Sequence, residues 1–384
     1  MNTIYKLLCL AATFAFCSSG YAQAASERSS LANNCPTKSS LPDTPVINCP
    51  KKKSCDEPFE QGMILPCGKY PCAYNAPAGI CLRNGWDFNI FGSFIYWYAS
   101  QDDMDIAYVN PINLTHGAVL RQSFNYEPGF KVGFGFNTDY DSWAFRAEYT
   151  WLHETQSTGP TAAPALPSGA AGSWRLNDWF FDTTTDPFIS SRWRLKLDMV
   201  DAVMTRPFYQ GTRLTVSPFG GLRGLWLRQK MTVHGIDDDG TVLDSVSLRS
   251  TSWAVGPATG VGGHWLLGSG FRFEGNATAS LLYTRYTKIS AQESHSESIF
   301  TTYSSEKDLS AVRPIAQLSL GLGWGRYFHG CSSDWYLDIS LDYEFLEFWH
   351  QNMMRTFSTN IQGYADDIGD LSMHGLTATV RFDF

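Results

Sequence analysis

After residue 24 the chain has no stretch approaching the ~20 consecutive apolar residues that a membrane-spanning helix needs, so helical spans are excluded. It has no positive excess: Lys and Arg total 29 against 37 Asp and Glu, a net charge of −8, which argues against a nucleic-acid partner. The parts of a hydrolase are missing too. No Asp-x-His occurs, Asp103-x-Asp105 is the sole partial match to a catalytic carboxylate pair, and His116-Gly117 and His374-Gly375 come without a serine in a matching motif. A positioned base has no constellation around it, so no enzyme activity, catalytic residue or cofactor is expected. Asp237-Asp238-Asp239-Gly240 lacks the alternating ligands and distal Glu of a calcium loop and reads as a solvated turn.

Alternation is abundant. In the last eleven residues, Leu376, Ala378, Val380, Phe382 and Phe384 point one way and Thr377, Thr379, Arg381 and Asp383 the other, the period of a strand with one greasy face. The same alternation predicts strands near 85–100, 124–137, 141–153, 191–205, 212–229, 250–266, 270–287, 311–327 and 334–350. In the fourth, Trp193, Leu195, Leu197 and Met199 are expected to face outward and Arg192, Arg194, Lys196 and Asp198 inward. The 43% hydrophobic and 15% aromatic composition would also suit a large sandwich core. No strand reads as buried on both faces, however, and spanning a bilayer without helices requires a closed barrel that pairs every backbone group.

The intervals between strands alternate short and long. Short ones fall near 137–141, 206–212, 266–270 and 327–334; long ones near 101–123, 154–190, 230–249, 288–310 and 351–371. Short periplasmic turns and long outer loops produce that order, and ten strands put the barrel's first and last strand ends on the periplasmic side. A further hairpin in the interval around Asp237–Gly240 would raise the count to twelve. Trp86, Tyr96, Tyr98, Trp143, Trp151, Trp193, Trp226, Trp265, Trp324 and Trp335 lie near strand ends, where amphipathic rings settle at headgroup level. The expected fold is therefore an all-β, antiparallel transmembrane barrel over 85–384, in contact with outer-membrane lipid.

Before it, residues 1–24 carry Lys6, an apolar run from Leu7 to Cys17 and Ala22-Gln23-Ala24, which reads as a secretory signal. A lipid anchor on Cys17 would need a small residue where Phe16 stands. Residues 25–84 form a Cys-rich periplasmic segment with Cys35, Cys49, Cys55, Cys67, Cys72 and Cys81; Cys331, in a short turn, shares its compartment. Seven exported cysteines favour disulfides over metal, the spacings Cys49-x5-Cys55 and Cys67-x4-Cys72 being looser than a zinc knuckle. Pairing is open, and an odd count leaves one thiol free or linked to another chain, in a homo-oligomer or to an envelope protein.

This order of parts resembles the major outer membrane proteins of the Legionella and Chlamydia-like type. The resemblance rests on the Cys-rich preamble, the run from Gly85 to Trp97, the strands Pro128–Gly133 and Trp143–Trp151, and Phe384, and spans roughly residues 30 to 384. It implies pore formation and disulfide cross-linking of the envelope. The end of the chain resembles the signal read by barrel assembly machinery, carried here by Gly375, Val380, Phe382 and Phe384.

On the inward faces, Lys131, Arg146, Arg194, Lys196, Arg213, Arg223, Arg272, Arg313, Asp338 and Asp342 are the candidate pore-lining residues. Together they fit a channel for passive diffusion of small hydrophilic solutes or ions. They fit equally a structural or surface-adhesion barrel whose narrow lumen is closed by crossed ion pairs, since wide channels belong to barrels of ~16–18 strands. N-terminal sequencing of the exported chain is expected to begin at Ala25.

Overall fold

A computed structural model describes residues 87–109, 118–138, 143–162, 172–174, 180–181, 188–211, 213–295, 300–305, 309–329, 334–354 and 369–384. The signal segment, the Cys-rich segment and all cysteines, Cys331 included, lie outside the described residues.

Ten long strands follow one another: β1 Asp87–Gln101, β2 Tyr126–Asn137, β3 Ala144–Ala162, β4 Phe188–Thr205, β5 Leu214–Ile236, β6 Val242–Gly268, β7 Phe271–His295, β8 Leu309–His329, β9 Asp334–Phe348 and β10 Leu371–Asp383. Each pairs antiparallel with its sequence neighbours. β10 returns to β1 in an unbroken register from Asn89↔Asp383 to Gln101↔Leu371, and this seam closes the sheet into a barrel. The final residue takes part, Phe88 N donating to Phe384 O at 3.1 Å and Phe384 N to Phe88 O at 2.9 Å. Closure pairs the first strand with the last and so removes the two free edges an open sheet would expose to lipid.

The count is ten, not twelve. The interval 230–249 is neither a loop nor an extra hairpin in the wall, because β5 and β6 simply run on to a tight turn at 237–241, where Gly240 N donates to Asp237 O at 3.1 Å. β5, β6 and β7 therefore stand taller than their neighbours. An extra strand, Phe300–Ser305, lengthens this wall by pairing with Ile289–Ser294 of β7. A small separate sheet at the same end joins Ala118–Arg121, Asp105–Val109, Gly172–Trp174 and Phe180–Phe181.

Along most strands the faces are as the alternation implies. On β1, Phe88, Ile90, Phe94 and Tyr96 are exposed, while Asp87, Asn89, Ser93 and Trp97 are buried. Phe88 and Tyr98 are ten residues apart, about 25 Å of height at a strand tilt of ~40° and ~3.3 Å per residue, which matches the apolar band of a transmembrane barrel.

β4 is a correction. Its exposed residues include Val200, Ala202 and Met204 low down but Arg192 and Arg194 higher up, with Lys196 and Asp198 half-buried on that same outer face; Trp193, Leu195, Leu197 and Met199 are buried inside. Trp193 is thus no interfacial anchor. β5 changes in the same way, with Leu222 and Trp226 outside below Arg228 and Lys230, and Arg223 inside below Leu225, Leu227, Met231 and Val233. The strands outlast the apolar band, so the outer face turns polar where it leaves lipid and the inner face turns apolar at the same height.

Gly375 on β10 permits the seam, since a Cβ there would lie 2.2 Å from the Tyr96 backbone oxygen and 2.7 Å from Trp97 Cα. Gly375→Val is expected to cost about 3 kcal/mol as an overpacking against backbone that has nowhere to move. The readout is the fraction of refolded protein in the compact, heat-modifiable gel band.

Candidate functional site: the barrel lumen

The lumen is built in two layers. Toward the short-turn end it is polar, and its groups are joined in a chain that crosses the barrel. Arg223 on β5 donates bidentately to Asp201 on β4, at 2.6 and 3.0 Å, and to Gln317 Oε1 on β8 at 2.7 Å. Gln317 Nε2 donates to Glu344 on β9 at 3.1 Å, and Lys131 Nζ on β2 donates to both Glu344 oxygens at 2.9 and 2.8 Å. Lys131 also lies 3.7 Å from Glu148 on β3, which pairs with Arg146, and 4.9 Å from the centroid of the Trp97 ring. Seven strands are tied across the bore by these contacts. A second cluster joins Arg272 to Glu274 at 2.7 Å and to Asp338, whose Oδ1 lies 2.7 Å from Nη2. Asp338 also accepts from the Tyr336 hydroxyl at 3.2 Å, and Asp342 from Ser340 at 3.1 Å.

Toward the long-loop end the lumen is a packed apolar core. Ile95, Trp97, Leu152, Trp193, Leu195, Leu197, Met199, Leu225, Leu227, Leu282, Ile315, Leu346, Phe348, Leu371 and Met373 are each at most 3% exposed and belong to one cluster. Loop residues complete it from above: Met104, Ile106 and Met354 are buried in the same cluster, with Phe124 packed against it. Trp97 Nε1 donates to Thr377 at 3.1 Å where the two layers meet.

The loop segments are fastened by amides, as buried irregular backbone must be. Asn352 Nδ2 donates to Asp102 O at 3.0 Å and Asn352 N to Gly369 O at 3.0 Å, while Asp102 N donates to Asp370 O at 2.9 Å. Gln101 reaches Asp370 O at 2.9 Å and accepts from Gln229 at 2.9 Å; Gln351 donates to Ser252 at 3.3 Å; and Ser191 donates to Gln122 at 2.6 Å. In this corner burial, then Asp370 and Asp103, push the Asp102 carboxyl above the usual carboxylate range.

Of the sequence candidates, Lys131, Arg146, Arg223, Arg272, Asp338 and Asp342 meet in the polar layer. Arg313 faces inward on β8 beside the loop plug, 3.5 Å from Met353 Sδ. Arg194 and Lys196 do not line the lumen; they lie on the outer wall, for the reason given for β4. Arg213 lies in the turn before β5, exposed at the barrel's rim. Asp105, half of the carboxylate pair considered from the sequence, is engaged by Arg121 at 3.1 Å. The inward-folded residues Met104, Ile106, Asn352 and Met354 escaped the sequence reading, as did Glu154, a buried carboxylate on the inner face of β3. Continuing the alternation Thr150, Leu152, Glu154 would have put Glu154 inside. Among the described residues no cluster of His, Cys, Asp and Glu suits a metal.

A family model described as Legionella pneumophila major outer membrane protein precursor matches residues 76–384. No curated protein matches the chain. Among solved structures, the outer membrane protease OmpT from Escherichia coli is 8% identical, with 80% of this chain and 99% of that chain covered at a TM-score of 0.37. The toluene transporters TbuX of Ralstonia pickettii and TodX of Pseudomonas putida are each 10% identical, with 78% of this chain and 89% of theirs covered, at TM-scores of 0.24 and 0.23. Likenesses at these scores carry no argument about what this chain does.

Lys131→Met is expected to destabilise the folded barrel by about 3–5 kcal/mol, because Glu344 is left as a buried charge with the Gln317 amide alone, while Glu148 keeps Arg146. Adding Glu344→Gln should restore much of the loss. Urea unfolding in lipid vesicles measures both.

Proposed function

We propose that this outer-membrane barrel, which belongs to the Legionella major outer membrane protein family, is a channel closed at rest. The observation that carries the reading is the make-up of the seal, part of which comes from loop segments around Met104–Ile106 and Gln351–Met354 folded inward over the bore. Below it lies a lumen lined with paired cations and carboxylates. Withdrawal of the loop segments would unpack the apolar layer, and an apolar constriction of this kind gates by admitting or expelling water. Small hydrophilic solutes or ions would then diffuse passively past Lys131, Arg146, Arg223, Arg272, Arg313, Asp338 and Asp342, with Arg223 and Arg272 the cations placed to set ion preference.

In this reading the short turns and the ends of β1 and β10 face the periplasm, and the long loops face the cell exterior. The assembly machinery would read Gly375, Val380, Phe382 and Phe384. A secretory signal over 1–24 and disulfides among Cys35, Cys49, Cys55, Cys67, Cys72, Cys81 and Cys331, within the chain or between neighbours, complete the proposal.

The crosswise chain through Arg223, Gln317, Glu344 and Lys131 favours a second reading, a structural barrel with a permanently closed lumen. Planar-bilayer recording separates the two. Wild-type protein is expected to show rare, discrete conductance steps, and Met104→Ser with Ile106→Ser to open more often at unchanged step size. Silence from both, with each protein shown to be folded, would sink the channel reading and leave the structural one.

A further inference from the structure

The outer wall above the tryptophans carries charge that the barrel itself does not use. Trp151 on β3, Asp198 on β4, Trp226 on β5 and Trp253 on β6 form one row of directly paired outer residues. In the next row up, Lys196 is paired with Arg228; in the row after that, Arg194 with Lys230 and Lys230 with Arg249. Three cations thus stand directly opposite one another on three adjacent strands. Like charges so placed destabilise a sheet, and among the described residues the sole carboxylate within 4.0 Å of these five side chains is Asp198, at 4.0 Å from Arg228.

The same wall is hollowed just above. A cleft of about 660 Å³ is lined, among the described residues, by Arg192, Arg194, Lys230 and His234, by hydroxyls and an amide that include Thr232, Ser247 and Gln292, and by Gly159 and Pro160, with no carboxylate among them. Cations that repel each other, hydroxyl and amide partners, and a position two to four rows beyond the aromatic belt specify a ligand that is anionic, rich in hydroxyls and anchored in the membrane plane. Trp226, half exposed below, would meet its acyl region.

We propose that this cleft binds the phosphorylated sugar headgroup of a glycolipid in the leaflet next to the long-loop end. Its phosphates sit across Arg194 and Lys230 in the cleft and Arg249 beside it, where charge-assisted hydrogen bonds replace the mutual repulsion, and its sugar hydroxyls face the serine, threonine and glutamine side chains. This assignment does not depend on whether the lumen opens.

The test is native mass spectrometry of the refolded full chain in detergent, titrated with diphosphoryl lipid A, the same lipid enzymatically dephosphorylated, phosphatidylglycerol, and inorganic phosphate. Retained diphosphoryl lipid A is expected, with the combined Arg194→Gln, Lys230→Gln, Arg249→Gln variant binding it roughly 100-fold more weakly, each surface cation being worth a factor of about five toward an anionic lipid. Arg194→Lys with Arg249→Lys should keep most of the affinity, and the compact heat-modifiable band shows that each variant is folded. Equal retention by the folded glutamine variant, or of the dephosphorylated lipid, would overturn the proposal. Equal binding of phosphatidylglycerol would reassign the wall to glycerophospholipid, and displacement by millimolar inorganic phosphate to a free anion; either also overturns it.

Discussion

Everything in this molecule depends on the ladder being closed. A strand in hydrocarbon cannot leave its amides to water, so β1 must find β10 at the far end of the chain, and the register between them is held from Asn89↔Asp383 to the last inward pair. The seam sets the rest. It fixes which residues of β1 and β10 face inward, sets the height at which Trp97 meets Thr377, and through β9 and β2 brings Glu344 within bonding distance of Lys131.

Within that closed wall, a change of polarity along the strands organises the structure. Low in the barrel the wall is apolar outside and polar inside, as lipid requires. Higher up, on β4 and β5, it is basic outside and apolar inside. An inside-out sheet and an ordinary water-facing sheet are thus continuous in the same strands, and the lumen becomes a soluble-type core where lipid no longer surrounds it. Trp151, Trp226 and Trp253 mark the level of the exchange.

That exchange explains what was legible in the sequence and what was not. Alternation alone identified the ten strands, and on β1, β2, β9 and β10 it identified the faces, because most of their length lies in the apolar band, as it did along the lower parts of β7 and β8. On β4 the pattern of Trp193, Leu195, Leu197 and Met199 against Arg192, Arg194 and Lys196 is equally regular, yet period two says only that the faces differ. Which face meets lipid depends on height, a quantity the local sequence does not encode. The interval 230–249 misled for a related reason, since above the membrane the alternation is inverted, with Met231, Val233 and Leu248 inside and Lys230 and Arg249 outside. The plug was hidden because Gln351-Asn352-Met353-Met354 has no period; its amides become informative only once their partners, Asp102 O, Gly369 O and Ser252, are in place.

The pairing of Lys131 with Glu344 bears on how the chain reaches this state. The two residues are 213 positions apart, and each is almost wholly buried. A half-made barrel ending at β5 would hold Lys131, Glu148 and Arg223 without Glu344 or Gln317, so its interior would be an unbalanced set of charges open to water. Such an intermediate has little reason to stay in the bilayer alone. The membrane-inserted form therefore gains its footing only when the last third of the chain arrives, and truncation there removes the counter-charges of strands that are themselves intact.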